Sequence, residues 1–288
     1  MSIKGTTMKQ QKGFSIIEVL VVIVVLGLLG AAGWFVFNRM QSKDAATTST
    51  SQQSSGDTDA RAAAYVPWEF NGETWSARGD APACPEPYTV ASPMDAKKAS
   101  AVLYPGQVRG GDFKPHGGLG TDGVNNIQVS AVTDAYLVRG SRYIEAGTVQ
   151  YMFDFIDPCG FMYRLDHLAE LSDEFKKYAD QLPPAKQDDS RTTKYENNPL
   201  IKKGTVIATQ VGYTANKNSF FDFGLYDLRK PNEASKTDIY QTDNLRIQDK
   251  EMSFFAVCWL DYIAGEDQAI LKALPARGIE GKTNDYCK

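Results

Sequence analysis

Residues 148–157 read TVQYMFDFID and decide the fold class. Apolar side chains recur there with a period of two, which predicts a strand with one buried face. That face carries four residues: Val149, Tyr151, Phe153 and Phe155. Shorter β-rich runs lie on both sides of this strand, at 126–132, 160–164, 204–211 and 220–228. Glycines separate the runs at the spacing of turns, which favours an antiparallel β architecture.

Two helices are expected to interrupt the strands. Ser172 is a good N-cap residue, so we expect a helix from there to about Leu182, where a pair of prolines follows. Residues 267–274 form the second expected helix, and residues 185–199 are expected to be an exposed loop. The predicted fold class is therefore mainly β with a few helices.

The charge of the chain excludes some functions. It has 31 Lys and Arg against 35 Asp and Glu, a net charge of -4, and its first 40 residues are basic, so the rest is more acidic still. Because an acidic surface repels polyphosphate, sequence-independent binding of nucleic acid is disfavoured. The chain also has only two histidines, so a zinc site made of several histidines cannot be built.

Residues 14–37 read FSIIEVLVVIVVLGLLGAAGWFVF and are predicted to cross a membrane. A helix of this length spans roughly 36 Å, against about 30 Å for the hydrocarbon core of a bilayer. Three lysines precede the segment and favour a cytoplasmic N-terminus. We therefore expect a single-pass protein of the cytoplasmic membrane with its C-terminal part outside the cytoplasm. A secretory signal peptide fits poorly, because no small-x-small cleavage site follows.

The start of this segment carries a further pattern. Gly13 and Phe14 follow the lysines, and Glu18 stands five positions after the glycine. This pattern resembles the leader of type IV pilins and pseudopilins. The resemblance implies cleavage after Gly13, N-methylation of Phe14 and a role for Glu18 in assembly. A carboxylate in an apolar helix costs a few kcal/mol unless it is paired, and the amino terminus of a neighbouring subunit would be its partner. An unprocessed signal anchor is the alternative.

Residues 41–61, QSKDAATTSTSQQSSGDTDAR, follow the transmembrane, pilin-like helix of residues 14–40. They are rich in Ser, Thr and Gln and contain no large apolar side chain. Such a segment buries too little surface to offset the entropy lost on ordering. We expect a flexible linker that tethers the globular residues from 62 onward.

All four cysteines, Cys84, Cys159, Cys258 and Cys287, lie in the globular part. An even number outside the cytoplasm suggests two disulfides, and three pairings are possible. We favour Cys84–Cys159, which would fasten an N-terminal arm, and Cys258–Cys287, which would fasten the C-terminus. Buried free thiols are the alternative. No Cys-x-x-Cys pair indicates a zinc ribbon or a thioredoxin-like site.

Five short motifs follow one another between residues 104 and 228. They are KPHGGL at 114–119, VSA at 129–131, YRLDHL at 163–168, KGTVI at 203–207 and FDFG at 221–224. Their order resembles the lysostaphin/LytM-type zinc metallopeptidases. The resemblance implies an antiparallel β domain of the duplicated-hybrid-motif kind and peptidoglycan peptide as the ligand. It leaves residues 62–103 as an N-terminal arm and residues 229–288 as a C-terminal extension.

The resemblance assigns functional positions to both histidines but leaves the site incomplete. His116 matches the first zinc ligand, whereas Gly120 stands where the family has its Asp ligand. His167 matches a catalytic histidine. Phe220 and Asp222 stand where the family has its final His-x-His pair, which supplies a catalytic histidine and the third ligand.

These replacements argue against catalysis. A catalytic zinc needs three protein ligands, so His116 and Asp222 are one short unless Asp122 reaches the gap. Phe220 replaces a polar group, and losing one group that stabilises an oxyanion typically costs about 2.7–4 kcal/mol. We expect no enzyme activity and no bound cofactor, with zinc at these three candidate ligands disfavoured. His116 and His167 are otherwise ordinary hydrogen-bonding groups at strand ends.

Three functions remain open. The first is a membrane-anchored, pilin-like envelope protein whose inactive, peptidase-like domain binds peptidoglycan peptide or an envelope partner. The second is a minor pilin or pseudopilin of a type IV pilus or secretion system, which would be displayed at the cell surface. The third is an active zinc endopeptidase that acts on the cell wall. In the extension, residues 254–260 are expected to pack on the core, and Trp68 and Trp75 either cover the core or form an interaction surface.

Overall fold

This computed structural model describes residues 64–213 and 218–288, which form mainly β-strands. The leader, the apolar segment and the linker lie outside the described residues, and so do Gly13, Phe14 and Glu18. Within the described ranges, no helix has both the length and the apolar character needed to cross a membrane. The described residues all belong to one compact unit, Ala60–Lys288.

The described residues form sixteen strands and five short helices. The strands are β1 (Trp68–Phe70), β2 (Trp75–Ala77), β3 (Ala101–Leu103), β4 (Gln107–Arg109), β5 (Asp112–Lys114), β6 (Gly117–Gly120), β7 (Val129–Ser130), β8 (Ala135–Glu145), β9 (Thr148–Ile156), β10 (Phe161–Leu171), β11 (Lys186–Gln187), β12 (Thr193–Lys194), β13 (Leu200–Ile201), β14 (Val206–Val211), β15 (Phe220–Asp227) and β16 (Ala276–Arg277). The helices are α1 (Asp173–Ala179), α2 (Asp238–Thr242), α3 (Asn244–Ile247), α4 (Lys250–Ser253) and α5 (Glu266–Ala273).

Twelve of the strands share one sheet. Its main order is β11-β8-β9-β10-β15-β6-β3-β16, with β12 and β13 paired to β8, and β14 paired to both β10 and β7. Two separate hairpins, β1–β2 and β4–β5, complete the strands. The pairings are antiparallel except for β11 with β8 and β16 with β3, which are parallel. The prediction of a mainly β, mainly antiparallel fold is confirmed.

The segment that decided the fold class forms β9, but both faces of its second half are buried. Phe153 and Phe155 are fully buried, as predicted, and Met152 and Ile156 on the opposite face are also buried. The second face is covered because the N-terminal arm and the C-terminal extension pack on it, around Met162, Tyr226 and Phe255. Val149, at the start of the strand, is 39% exposed.

Other strands differ from the prediction in length. The run at 126–132 forms only the two-residue β7, whereas β10 extends to Leu171 instead of ending at residue 164. The eleven-residue β8 was not predicted, because arginine, serine and glycine interrupt its apolar pattern. Residues 185–199 are mostly irregular, as predicted, but two short strands, β11 and β12, interrupt the loop and pair with β8.

The two predicted helices are present. Ser172 caps α1, and its hydroxyl oxygen accepts a hydrogen bond from the Phe175 amide at 3.3 Å. The helix ends at Ala179, three residues before the predicted end. Helix α5 starts and ends within one residue of the prediction.

Both favoured disulfides are present: Cys84–Cys159 joins the arm to the turn between β9 and β10, and Cys258–Cys287 joins the C-terminus to another part of the extension. The predicted packing of residues 254–260 is confirmed, since Phe255, Ala256, Trp259 and Leu260 are buried. The indole N–H groups of the arm also bond inward. Trp68 donates to the Pro158 carbonyl and Trp75 to the Glu251 carbonyl, which supports their interpretation as a cover of the core.

Candidate functional site

A cavity of about 1070 Å³ lies where β10 and β15 meet the segment that precedes β6. Both histidines of the chain line it, together with carboxylates, arginines and aromatic side chains. Its central groups are His116, Glu145, Asp166, His167 and Asp222. We describe it as the central cavity.

A β-bulge in β10 brings His167 to the cavity. The register of β10 on β9 shifts between Leu165, which faces Phe153, and Leu168, which faces Tyr151. His167 lies inside this shift with a φ of 59°, a left-handed conformation that is uncommon for a residue with a side chain. The Gly212 amide donates to the His167 carbonyl at 2.7 Å and holds the backbone there. Bulges of this kind re-aim side chains and are frequent next to functional sites.

Asp222 comes from the neighbouring strand. On β15 it lies directly opposite Asp166, so two carboxylates face each other across the pair of strands. Like charges in this position repel unless donors compensate them. His116, just before β6, supplies one donor, because its Nε2 lies 2.9 Å from Asp222 Oδ2. His167 Nε2 lies 3.7 Å from the same oxygen.

The charge state of Asp222 follows from these neighbours. Only 8% of the residue is exposed, and burial by itself raises the pKa of its carboxyl. The charge and hydrogen bond of His116, together with the charge of His167, outweigh burial and hold the pKa of Asp222 below its ordinary value. The carboxylate is therefore ionised at neutral pH.

Asp166 and Glu145 are the other two carboxylates next to His167. Asp166 Oδ1 accepts hydrogen bonds from the Tyr143 hydroxyl and from the His167 amide, both at 2.7 Å. Glu145 Oε2 lies 3.7 Å from His167 Nδ1. Burial lowers the pKa of His167, but the charges of Asp166, Asp222 and Glu145 outweigh it, so the pKa is raised.

Arg109 forms the other end of the site. Its Nη2 donates to the His116 carbonyl at 3.0 Å, which places the guanidinium beside the central groups. Its Nε is buried and has no hydrogen-bond partner among the described residues. His116 Nδ1 is likewise buried without a partner in that part of the chain. The lining of the cavity thus combines carboxylate oxygens with the guanidinium group of Arg109.

The structure brings together three of the four side chains on which the zinc hypothesis depends. His116, His167 and Asp222 line the central cavity, whereas Asp122 is exposed in the turn after β6 and does not line it. Asp166, which sequence reasoning missed, completes a group of possible ligands with His167 and Asp222, whose ligand atoms lie within 4.8 Å of one another. In a regular strand, neighbours such as Asp166 and His167 would face opposite sides, and only the bulge lets both reach one cavity.

The zinc arrangement of the resembling family does not fit the residues present. Phe220 lies opposite Gly120, and a Cβ added at Gly120 would collide with the Phe220 ring. A side chain at the position of the family's Asp ligand therefore has no room. His116 Nε2 is already bonded to Asp222. We derive no chemical step through zinc.

Comparison with known protein families finds a match at the N-terminus of the chain. The prokaryotic N-terminal methylation motif matches residues 8–34, which confirms the predicted leader. No curated protein and no solved structure matches the chain. The matched motif is that of type IV pilin-like, membrane-anchored proteins, and it includes Gly13, Phe14 and Glu18.

Proposed function

We propose that this pilin-like envelope protein binds peptidoglycan peptide in the central cavity, through a catalytically inactive, peptidase-like head. An envelope partner protein is the alternative ligand of the same cavity. The observation that carries the proposal is the convergence of His116, His167 and Asp222 in one open cavity beside the replaced position Gly120. These are positions that the five sequence motifs assign to a peptidase site.

The loss of catalysis follows from the same positions. Gly120 has no side chain and Phe220 fills the space beside it, so the family's ligand set and one of its polar catalytic groups are missing. A cavity can bind a peptide without these groups, because carboxylates, guanidinium groups and aromatic rings still recognise the peptide.

The location of the head agrees with this ligand. The leader motif anchors the chain in a membrane, and the two disulfides are typical of a compartment outside the cytoplasm. Peptidoglycan lies in that compartment.

Co-sedimentation with purified, insoluble peptidoglycan tests the proposal. The full chain in detergent is expected to sediment with the polymer, and Glu145→Lys is expected to abolish this, because it reverses a charge at the cavity. Asp173→Lys is the matched control, since the Asp173 side chain is 98% exposed on α1. Sedimentation no stronger for the wild type than for Glu145→Lys would count against the proposal. The same mixtures are expected to release no new muropeptides, and fragments that depend on added zinc would restore the endopeptidase hypothesis.

A second candidate function is a minor pilin or pseudopilin subunit, which the matched motif favours. In this case Glu18 would pair with the amino terminus of a neighbouring subunit. Replacing Glu18 by Ala is expected to remove the protein from assembled surface fibres or secretion complexes. Unchanged incorporation of the variant would exclude this role. The two functions are compatible in one protein.

A further inference from the structure

We infer that the central cavity recognises a short zwitterionic peptide, with the ligand's ammonium group at the carboxylates and its carboxylate at Arg109. The inference rests on the proposed function, because it names the chemical class of the ligand for the same cavity. It follows from unused hydrogen-bonding groups at two ends of the site.

The negative end has acceptor atoms without donors. Both hydrogen bonds that Asp166 accepts end on Oδ1. The bond from His116 to Asp222 ends on Oδ2. Within the described residues, Asp166 Oδ2 and Asp222 Oδ1 therefore have no donor. An ammonium group offers three donors and a positive charge, which match such oxygens.

Aromatic rings surround this negative end. The Tyr213 ring centroid lies 5.8 Å from that of His167, and the Tyr143 centroid lies 6.4 Å from it. Phe220 also lines the cavity. Rings beside carboxylates suit an organic cation, because the ring faces attract positive charge while the carboxylates neutralise it.

The positive end is the guanidinium of Arg109. Its Nη2 donates a hydrogen bond to the His116 carbonyl, but its buried Nε has no hydrogen-bond partner among the described residues. A buried donor left unpaired costs free energy, which an acceptor on a ligand would recover. A carboxylate is among the acceptors that arginine binds most strongly.

The two ends are close together because both are bonded to His116. Arg109 binds its backbone carbonyl, and Asp222 binds its side chain. Both ends therefore lie within hydrogen-bonding distance of one residue, His116. A ligand that reaches both ends carries an ammonium group and a carboxylate group close together, as a short peptide does.

Isothermal titration calorimetry of the full chain in detergent tests the inference with three probes. They are alanyl-alanine, its N-acetyl form, which lacks the ammonium, and its C-terminal amide, which lacks the carboxylate. We expect alanyl-alanine to bind and the N-acetyl form to bind at least about tenfold more weakly. We expect the amide also to bind more weakly than alanyl-alanine. Equal binding of all three probes would overturn the inference.

Variants place the binding in the central cavity. Glu145 is the third carboxylate at the negative end, with Oε2 3.7 Å from His167 Nδ1. Glu145→Gln is expected to weaken the binding of alanyl-alanine but to leave that of the N-acetyl form unchanged. Arg109→Gln is expected to weaken the binding of alanyl-alanine but not that of its amide. The matched controls Asp173→Asn and Arg78→Gln alter exposed charges elsewhere and are expected to bind like the wild type. Near-ultraviolet circular dichroism checks that each variant keeps its fold. Equal effects of site variants and controls would contradict the inference.

The remaining outcomes separate this inference from the proposed function. If peptidoglycan is retained while N-acetylation has no effect, the inference fails and the proposed function stands. If neither peptidoglycan nor alanyl-alanine binds, the proposed function fails and the inference fails with it. If zinc chloride alone binds tightly and displaces the dipeptide, the carboxylates hold a metal ion and the inference is wrong.

Discussion

Asp154 shows at the scale of one residue how this sheet accommodates a charge in its interior. The residue is fully buried, and Arg164 donates to it at 2.7 and 2.9 Å while Arg139 donates at 3.0 Å. Burial raises the pKa of its carboxyl, but the two guanidinium groups outweigh burial and lower the pKa. The three side chains therefore depend on each other.

We expect Asp154→Asn to destabilise the protein by about 3–5 kcal/mol, because it leaves the Arg164 guanidinium without its counter-ion and Arg139 with only the Glu251 carboxylate. The measurement is urea unfolding followed by tryptophan fluorescence. Asp173→Asn, at an exposed carboxylate, is expected to change the free energy of unfolding by no more than about 0.5 kcal/mol. A similarly small effect for Asp154→Asn would show that the buried carboxylate and its two arginines contribute little to stability.

His167 gives a pH-dependent prediction. Its pKa is raised in the folded state, because three carboxylates face it and outweigh burial and the opposing charge of Lys114. The protonated ring therefore stabilises the fold fully below the unfolded pKa of about 6.5, and this contribution is lost as the pH rises through the folded pKa.

The variant His167→Asn tests this effect, since asparagine tolerates the left-handed backbone and does not titrate. We expect it to reduce the free energy of unfolding more at pH 5.5 than at pH 8.5. Denaturant unfolding at the two pH values measures the difference. Asp173→Asn is expected to show no such difference, and equal losses for His167→Asn at both pH values would contradict the assignment.

At the scale of elements, the pairing of β6 with β15 explains why the positions that the sequence motifs assign to a zinc site lie together without the residues that would bind the metal. The register places Phe220 opposite Gly120 and Asp222 opposite Gly118. Gly118 must lack a side chain, because a Cβ there would meet the Phe221 carbonyl and the Asp222 carboxylate. Gly120, Phe220 and Asp222 lie on these two neighbouring strands. Replacing them by the residues of the metallopeptidases would therefore bring the new side chains close together.

The triple variant Gly120→Asp, Phe220→His, Asp222→His is expected to bind one zinc ion, because His116 would then have two further ligands. The Phe220 replacement is needed since its ring fills the space beside Gly120. Elemental analysis after dialysis against zinc measures the stoichiometry. The double variant Phe220→His, Asp222→His, which lacks the Asp ligand, is the control and is expected to bind zinc much more weakly. A metal-free triple variant would contradict the resemblance to the metallopeptidases.

The elements also show how far the sequence could predict the site. Apolar, β-rich patterns predicted β9 and β15. The motif order assigned functional positions to His116, His167 and Asp222 and left open whether these side chains meet. The bulge in β10 was not predictable, because it depends on pairing with β9 and on the hydrogen bond from Gly212. For that reason Asp166 was missed. Glu145 was missed because it ends β8, a strand that was not predicted.

At the scale of the whole molecule, the chain combines a membrane leader with a disulfide-fastened head. Cys84–Cys159 ties the N-terminal arm to the turn after β9, and Cys258–Cys287 ties the C-terminus to the extension. Both histidines of the chain and several carboxylates line the central cavity, which makes it the site where we expect a ligand.

The leader gives a prediction about the processing of the chain. The methylation motif includes the junction of Gly13 and Phe14, so the mature chain is expected to begin at an N-methylated Phe14. Mass spectrometry of the N-terminal peptide, from protein purified out of the native membrane, measures this as the loss of residues 1–13 and the gain of one methyl group. Replacing Gly13 by a bulky residue is expected to block both changes, whereas replacing Lys12 by Arg keeps the basic character and is expected to leave them intact. A mature protein that retains residues 1–13 would instead be an unprocessed signal anchor, and Glu18 would then lack the neighbouring amino terminus that could neutralise it within the bilayer.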